Sequence, residues 1–171
     1  MTKTKLLLLI IFISSCSHQR FDLAIVNGFV IDGSGNQGSI LQIGIIDEKI
    51  AFIGDSLPFK ANSIIDASGL IVSPGFIDPH THAIRGIFDV PTADSSLLQG
   101  ITTLTEGNDG TSPFPIDQHY QQIEKTKISP NWAVFVGQGT IRQEFMGFDD
   151  RPATDIEINS MKELVHQSMQ Q

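Results

Sequence analysis

The sequence predicts two kinds of structure in tandem: a small N-terminal β domain, then the opening βα units of a parallel α/β fold. Three observations carry this. From Phe21 to Val72, short apolar runs are broken by turn segments such as Asn27-Gly28 and Asp66-Ala67-Ser68-Gly69. After Ser73-Pro74-Gly75 the rhythm changes to strand-like apolar runs alternating with helical patterns, the mark of βα units. Polar, glycine-rich segments recur after these strands, and in an α/β barrel that is where chemistry sits.

Each element follows in order. Residues 23–26 and 29–31 read as two short strands parted by a turn at Asn27-Gly28. Residues 40–46 and 50–53 read as two more, joined by a hairpin turn at Asp47-Glu48-Lys49. Residues 64–65 and 70–72 flank the Asp66–Gly69 segment, and the set suggests a small sandwich or open barrel. In the second part, residues 76–77 lead into Asp78-Pro79-His80-Thr81-His82, and a short helix is expected over 92–99. A buried strand over 101–105 ends at Glu106-Gly107-Asn108-Asp109-Gly110, and a helix is expected over 116–126. A third buried strand, 132–136, ends at Gly137-Gln138-Gly139. Thr154 starts a final helix, with Glu157 placed for a capping box and Ile158, Met161, Leu164 and Val165 as its apolar face. Three βα units cannot close an eight-stranded barrel, which takes about 250 residues. The 171 residues are therefore expected to form only the N-terminal part of one.

Bulk properties narrow the function. With 40% hydrophobic and 18% charged residues the chain can bury a core. Its net charge of -8 and the absence of any Lys/Arg run exclude a phosphate-backbone partner, so no nucleic acid is expected. The single cysteine, Cys16, rules out an internal disulfide. It follows Lys3, Lys5, an apolar run from Leu6 to Ile13, and Ser14-Ser15. Such a run is a secretory signal, too short to span a bilayer core of about 30 Å. Ile13-Ser14-Ser15-Cys16 resembles the bacterial lipobox, which implies cleavage before Cys16, lipidation of its sulfur and a membrane lipid anchor. Ser17, not Asp, follows it and favours the outer membrane. The expected division is a signal peptide over 1–15, an anchor linker over 16–20, a β domain over 21–73 and the α/β part over 74–171, located in the cell envelope on the periplasmic side or outer membrane.

His80 and His82 stand two apart at an expected strand end, so strand periodicity puts both on one face. Two adjacent imidazoles suit one zinc ion at about 2.0–2.1 Å each. The run Ser73-Pro74-Gly75-Phe76-Ile77-Asp78-Pro79-His80-Thr81-His82 resembles the first-strand signature of the amidohydrolase superfamily, and Asp66-Ala67-Ser68-Gly69-Leu70 resembles its lead-in. Gln99-Gly100-Ile101-Thr102-Thr103, Glu106–Gly110, and Gly137-Gln138-Gly139-Thr140-Ile141-Arg142 with Met146-Gly147 are similar to segments of the N-acyl-D-amino-acid deacylase (D-aminoacylase) group.

The resemblance implies a composite β-sandwich followed by a (β/α)8 metal-dependent hydrolase barrel. It implies one or two divalent ions, zinc foremost, held by His80 and His82. It implies hydrolysis of a non-peptide C–N bond in a small-molecule amide, of the N-acyl-D-amino-acid type. The general-base Asp and further His ligands would lie beyond residue 171, leaving this chain inactive alone. Two departures stand out. Asp109 occupies the place of a metal-binding Cys, and either replaces it as an oxygen ligand or caps the loop beside Gly110. Gln138 replaces a His of the group.

Arg142 is a candidate partner for a substrate carboxylate, with a surface salt bridge as the alternative. Asp78 is a candidate hydrogen-bond partner behind a ligand histidine, or a core carboxylate. Glu106 is read as a structural carboxylate with a pocket-facing position as the alternative, His119 as solvated, His18 as part of the linker, Trp132 as core, and Asp149-Asp150-Arg151 as a solvated charge cluster. Two other readings stand beside the deacylase. One is a non-catalytic lipoprotein remnant. The other is a different amidohydrolase, such as a dihydroorotase, imidazolonase or deaminase. The sequence leaves the oligomeric state open.

Overall fold

The structure, a computed structural model, describes residues 20–170. Lys3, Lys5, the apolar run from Leu6 to Ile13, Cys16 and His18 lie outside the described residues. The chain divides into two compact units, one ending at Pro74 and one beginning at Gly75.

The first unit is one five-stranded mixed sheet. Strands β1 (Phe21–Val30), β2 (Ser39–Ile46), β3 (Lys49–Gly54) and β4 (Ala61–Asp66) lie in the order β3-β2-β1-β4, and β5 (Ile71–Val72) also pairs with β1. β2 pairs antiparallel with both β1 and β3, while β4 and β5 run parallel to β1. The expected turn at Asn27-Gly28 is instead a bulge inside a single long strand. The β1–β2 register shifts between Ile25 and Gly28, and Asn27 takes φ 61. Its side-chain amide donates to Asp66 Oδ1 at 3.0 Å, so the bulge is fastened to β4. The hairpin between β2 and β3 is as expected. Asp47 and Glu48 both have positive φ (48 and 62), the two-residue geometry that matches strand twist.

Phe21, Ala24, Val30, Ile43 and Ala67 are buried, with the Phe21 ring against Phe52 and Phe59. Ile40, Ile50, Ile64 and Ile71 remain exposed. Among the described residues the first unit consists of one sheet layer, and these isoleucines lie on its uncovered surface.

The second unit carries a parallel sheet in the order β6 (Phe76–Asp78), β7 (Ile101–Glu106), β8 (Asn131–Val134). A 3-10 turn (Ala83–Arg85) and α1 (Asp94–Leu97) link β6 to β7, and α2 (Ile116–Thr126) links β7 to β8. Helices α3 (Gln138–Met146) and α4 (Asp155–Ser168) follow. Leu104 on the central strand is the centre of the core, with Ile116 and Ile123 of α2 and Ile141 and Met146 of α3 also buried.

Three expectations need correction. The helix expected over 92–99 is only four residues long, because Ala93 sits left-handed (φ 47) before it and Gly100 (φ 80) follows. No helix was expected over Gln138–Met146, where α3 lies. Its first turn contains Gly139 and has no side-chain cap; instead the Thr140 N–H donates to Gly110 O. β8 is less buried than expected, with Trp132 half-buried and Phe135 exposed, because it is an edge strand of this sheet.

Candidate metal centre

β6 ends at Asp78, so His80 and His82 lie beyond the strand rather than on its pleat. What puts both imidazoles on one side is a set of main-chain anchors. The His80 N–H donates to Asp78 Oδ1 at 3.1 Å. Thr81 N–H donates to Thr105 O at 3.0 Å, and the Thr81 hydroxyl lies 2.8 Å from Glu106 Oε1 and 3.1 Å from Thr105 O. The Ile84 N–H donates to the same Glu106 oxygen at 3.0 Å. Asp78 thus holds the backbone of His80.

Asp109 arrives on the loop after β7. Gly107 (φ 93) and Gly110 (φ 84) give that loop its path, and a Cβ at Gly107 would collide with Phe135 O. The loop is tied down on both sides. The Asn108 amide donates to Pro79 O, the Ser112 N–H donates to Thr140 Oγ1 at 2.9 Å, and the Gly137 N–H donates to Ser112 Oγ at 3.0 Å.

The result is a three-residue cluster. His80 Nε2 lies 2.8 Å from Asp109 Oδ1, and His82 Nε2 lies 3.2 Å from Asp109 Oδ2. The imidazole centroids are 5.6 Å apart, and one ligand atom from each of the three residues lies within 4.8 Å of the others. All three side chains are about half exposed. Two imidazole nitrogens and a carboxylate oxygen are a donor set that suits zinc and other divalent first-row ions. Alongside opens a cavity of about 310 Å³, whose lining includes His82, Arg85, Glu106, Asp109 and Ser112. Arg85 escaped sequence reasoning because nothing in the local pattern distinguishes it from a surface cation.

The other candidates are placed as follows. Arg142 has its guanidinium on Asp149 O (2.9 Å), Arg151 O (2.8 Å) and the Met146 sulfur (3.1 Å). It closes the end of α3 onto the following loop and also lines the cleft that Asp109 borders. Gln138 begins α3 and borders the cleft beside Asp109. His119 is buried, not solvated: it lies on the inner face of α2 and its Nε2 accepts the Trp132 indole N–H at 2.9 Å. Burial lowers its pKa, with Glu106 pulling weakly the other way. Arg151 is not merely solvated. It pairs with Glu157 at 2.6 Å, and this bond, with the Thr154 cap, holds the Glu157 carboxyl down at about 2.

A parallel βα sheet whose first two strands deliver two imidazoles and a carboxylate to one point defines an α/β protein with a divalent-metal centre in prospect. The amidohydrolase family model matches residues 63–144. A D-aminoacylase of Alcaligenes xylosoxydans xylosoxydans is 33% identical over 91% of this chain and 37% of its own length. An allantoinase of Escherichia coli is 50% identical over 74% of this chain and 27% of its own length. A solved N-acyl-D-glutamate deacylase of Bordetella bronchiseptica, complexed with zinc and a phosphonate inhibitor, superposes with a TM-score of 0.80. It is 26% identical, over 89% of this chain and 37% of that one. These matches support an amidohydrolase-superfamily, D-aminoacylase-like chain, and its relatives are hydrolytic enzymes. It spans about a third of the length of the relatives it matches.

Proposed function

We propose that this chain is the N-terminal part of a metal-dependent hydrolase of non-peptide amide bonds, acting on N-acyl-D-amino acids. The observation that carries the reading is the convergence of His80, His82 and Asp109 within 4.8 Å at the mouth of a parallel sheet. In this reading the first unit is part of a composite β-sandwich over 21–73, and residues 74–171 open a (β/α)8 barrel. The exposed isoleucines of the first sheet would then be covered by strands from elsewhere in the whole protein.

His80 and His82 would hold the divalent ion, and Asp109 would supply oxygen in place of sulfur. When bound, such an ion polarises an amide carbonyl and makes water a stronger acid. The chain's own residues orient that chemistry. Glu106 and Thr105 fix the backbone of the two-histidine segment, the tethered loop fixes Asp109, and Arg85 places positive charge on the cavity wall where a substrate carboxylate would lie. Further ligands and the general-base Asp belong to the two thirds of the relatives' length that this chain does not span. The chain alone therefore binds metal without turnover.

Zinc analysis and activity assays test this. The purified chain should take up zinc stoichiometrically, and a His80→Ala/His82→Ala variant should lose it. Turnover of N-acetyl-D-amino acids by the chain alone would contradict the division of labour. On a longer form, N-acyl-D-amino acids are the expected substrates. The allantoinase kinship makes cyclic-amide turnover the outcome that would replace them. Failure of a longer form to hydrolyse any amide would favour the non-catalytic lipoprotein.

For location, we infer a lipid anchor at Cys16, from the lipobox-like Ile13-Ser14-Ser15-Cys16. Cys16→Ser should move the protein from the membrane to the soluble periplasmic fraction; an unchanged membrane fraction would contradict the anchor.

A further inference from the structure

We propose that Glu106 is the positioning residue of the metal centre, holding the two-histidine segment in its binding geometry from behind. This rests on the reading that His80, His82 and Asp109 hold a divalent ion. Glu106 is 3% exposed, one of the few charged or polar side chains buried among the described residues. It closes β7, the central strand of the sheet. A carboxylate there is costly unless its oxygens are used.

Its Oε1 is used twice, on both sides of His82. It takes the Thr81 hydroxyl at 2.8 Å and the Ile84 N–H at 3.0 Å. His82 stands between those two anchor points, and His80 immediately precedes the first. β6 stops at Asp78, so no strand hydrogen bonding fixes residues 80 to 82 beyond the single Thr81 N–H to Thr105 O bond. Both imidazoles are half exposed and loop-borne. Without the Glu106 brace, ordering them around an ion would cost the conformational entropy that the brace has already removed. Glu106 acts on the site through Thr81 and Ile84 rather than as a ligand. Loss of a partner that orients a ligand typically lowers metal affinity about 10- to 100-fold.

The experiment is competitive zinc titration, with the visible spectrum of the cobalt-loaded protein as a second readout. It compares the unaltered chain with Glu106→Met, Glu106→Gln, Thr81→Val and His82→Ala. Glu106→Met, similar in length but without acceptor oxygens, should weaken zinc about 10- to 100-fold and alter the cobalt spectrum. Glu106→Gln keeps an oxygen at the same reach and should restore both. Thr81→Val removes one of the two bonds and should give a smaller loss. If His82→Ala abolishes binding while Glu106→Met binds normally, the positioning role is wrong and the metal reading stands. If the unaltered chain takes up no metal, both fall. If Glu106→Met does not fold, Thr81→Val decides: unchanged affinity in that variant overturns the proposal.

Discussion

His80 and His82 were legible because residue type and spacing alone advertise them. The reason they face one way was not. Strand alternation gave the right outcome for the wrong cause, since β6 ends two residues early and Thr81, bonded to Thr105 and Glu106 some 25 residues on, does the aligning. Such a tie leaves no local pattern. His119 was misjudged for a related reason. Its helix has a polar average, yet the residue falls on the buried stripe with Ile116 and Ile123.

That burial has a pH consequence. His119 is held neutral, with a pKa below its ordinary 6.5, chiefly by desolvation. The unfolded chain binds the extra proton first, so the stabilisation is complete above pH about 6.5 and declines as pH falls toward the lowered folded value. Denaturant titrations at pH 7.5 and 5.5 should show the second unit less stable at the lower pH. His119→Leu, which keeps the volume but removes the acceptor for Trp132, should flatten this dependence and cost about 1 kcal/mol. An unchanged slope would contradict it.

Among elements, α4 was the most readable. Thr154 and Glu157 form the reciprocal capping box the spacing announces, with the Glu157 N–H on Thr154 Oγ1 at 3.3 Å and the Thr154 N–H on Glu157 Oε2 at 2.8 Å. Thr154→Ala should destabilise the helix by about 1 kcal/mol, seen as faster hydrogen exchange of the amides at Ile156 and Glu157. Glu157 adds an acid limb. Its carboxyl is depressed from 4.5 to about 2, first by the Arg151 bond. Its contribution is therefore full above pH 4.5 and is lost as pH falls toward 2. Arg151→Gln should shift that loss to higher pH. Helix α3, by contrast, escaped sequence reading. Its first-turn donor is capped by Gly110 O, a partner 30 residues upstream, and Gly137 and Gly139 mimic a loop. The Asn27-Gly28 pair was read as a turn because a bulge uses the same residues. Pairing with β2 on both sides of the shift, and with β4 and β5 on the opposite edge, shows the strand continuing through it.

For each compact unit taken by itself, the class of architecture was readable and the covering of each sheet face was not. Alternation of apolar residues marks strands, but it does not say whether the face they present is covered by this chain. In the first unit Ile50 and Ile64 are each more than 60% exposed. Ile50→Thr and Ile64→Thr should leave Tm nearly unchanged, as surface substitutions do, within about 0.5 kcal/mol. They should also reduce self-association measured by light scattering, because they break an exposed apolar face. A large loss of Tm would mean those residues are packed. In the second unit the candidate site depends on two loops from neighbouring parallel strands meeting at one point. Zinc K-edge X-ray absorption of the zinc-loaded chain reads that meeting point at the ion itself. The expected shell holds two imidazole nitrogens at about 2.0–2.1 Å, oxygen in the remaining positions and no sulfur. A shell with one imidazole or none, or unchanged by His80→Ala and His82→Ala, would contradict it.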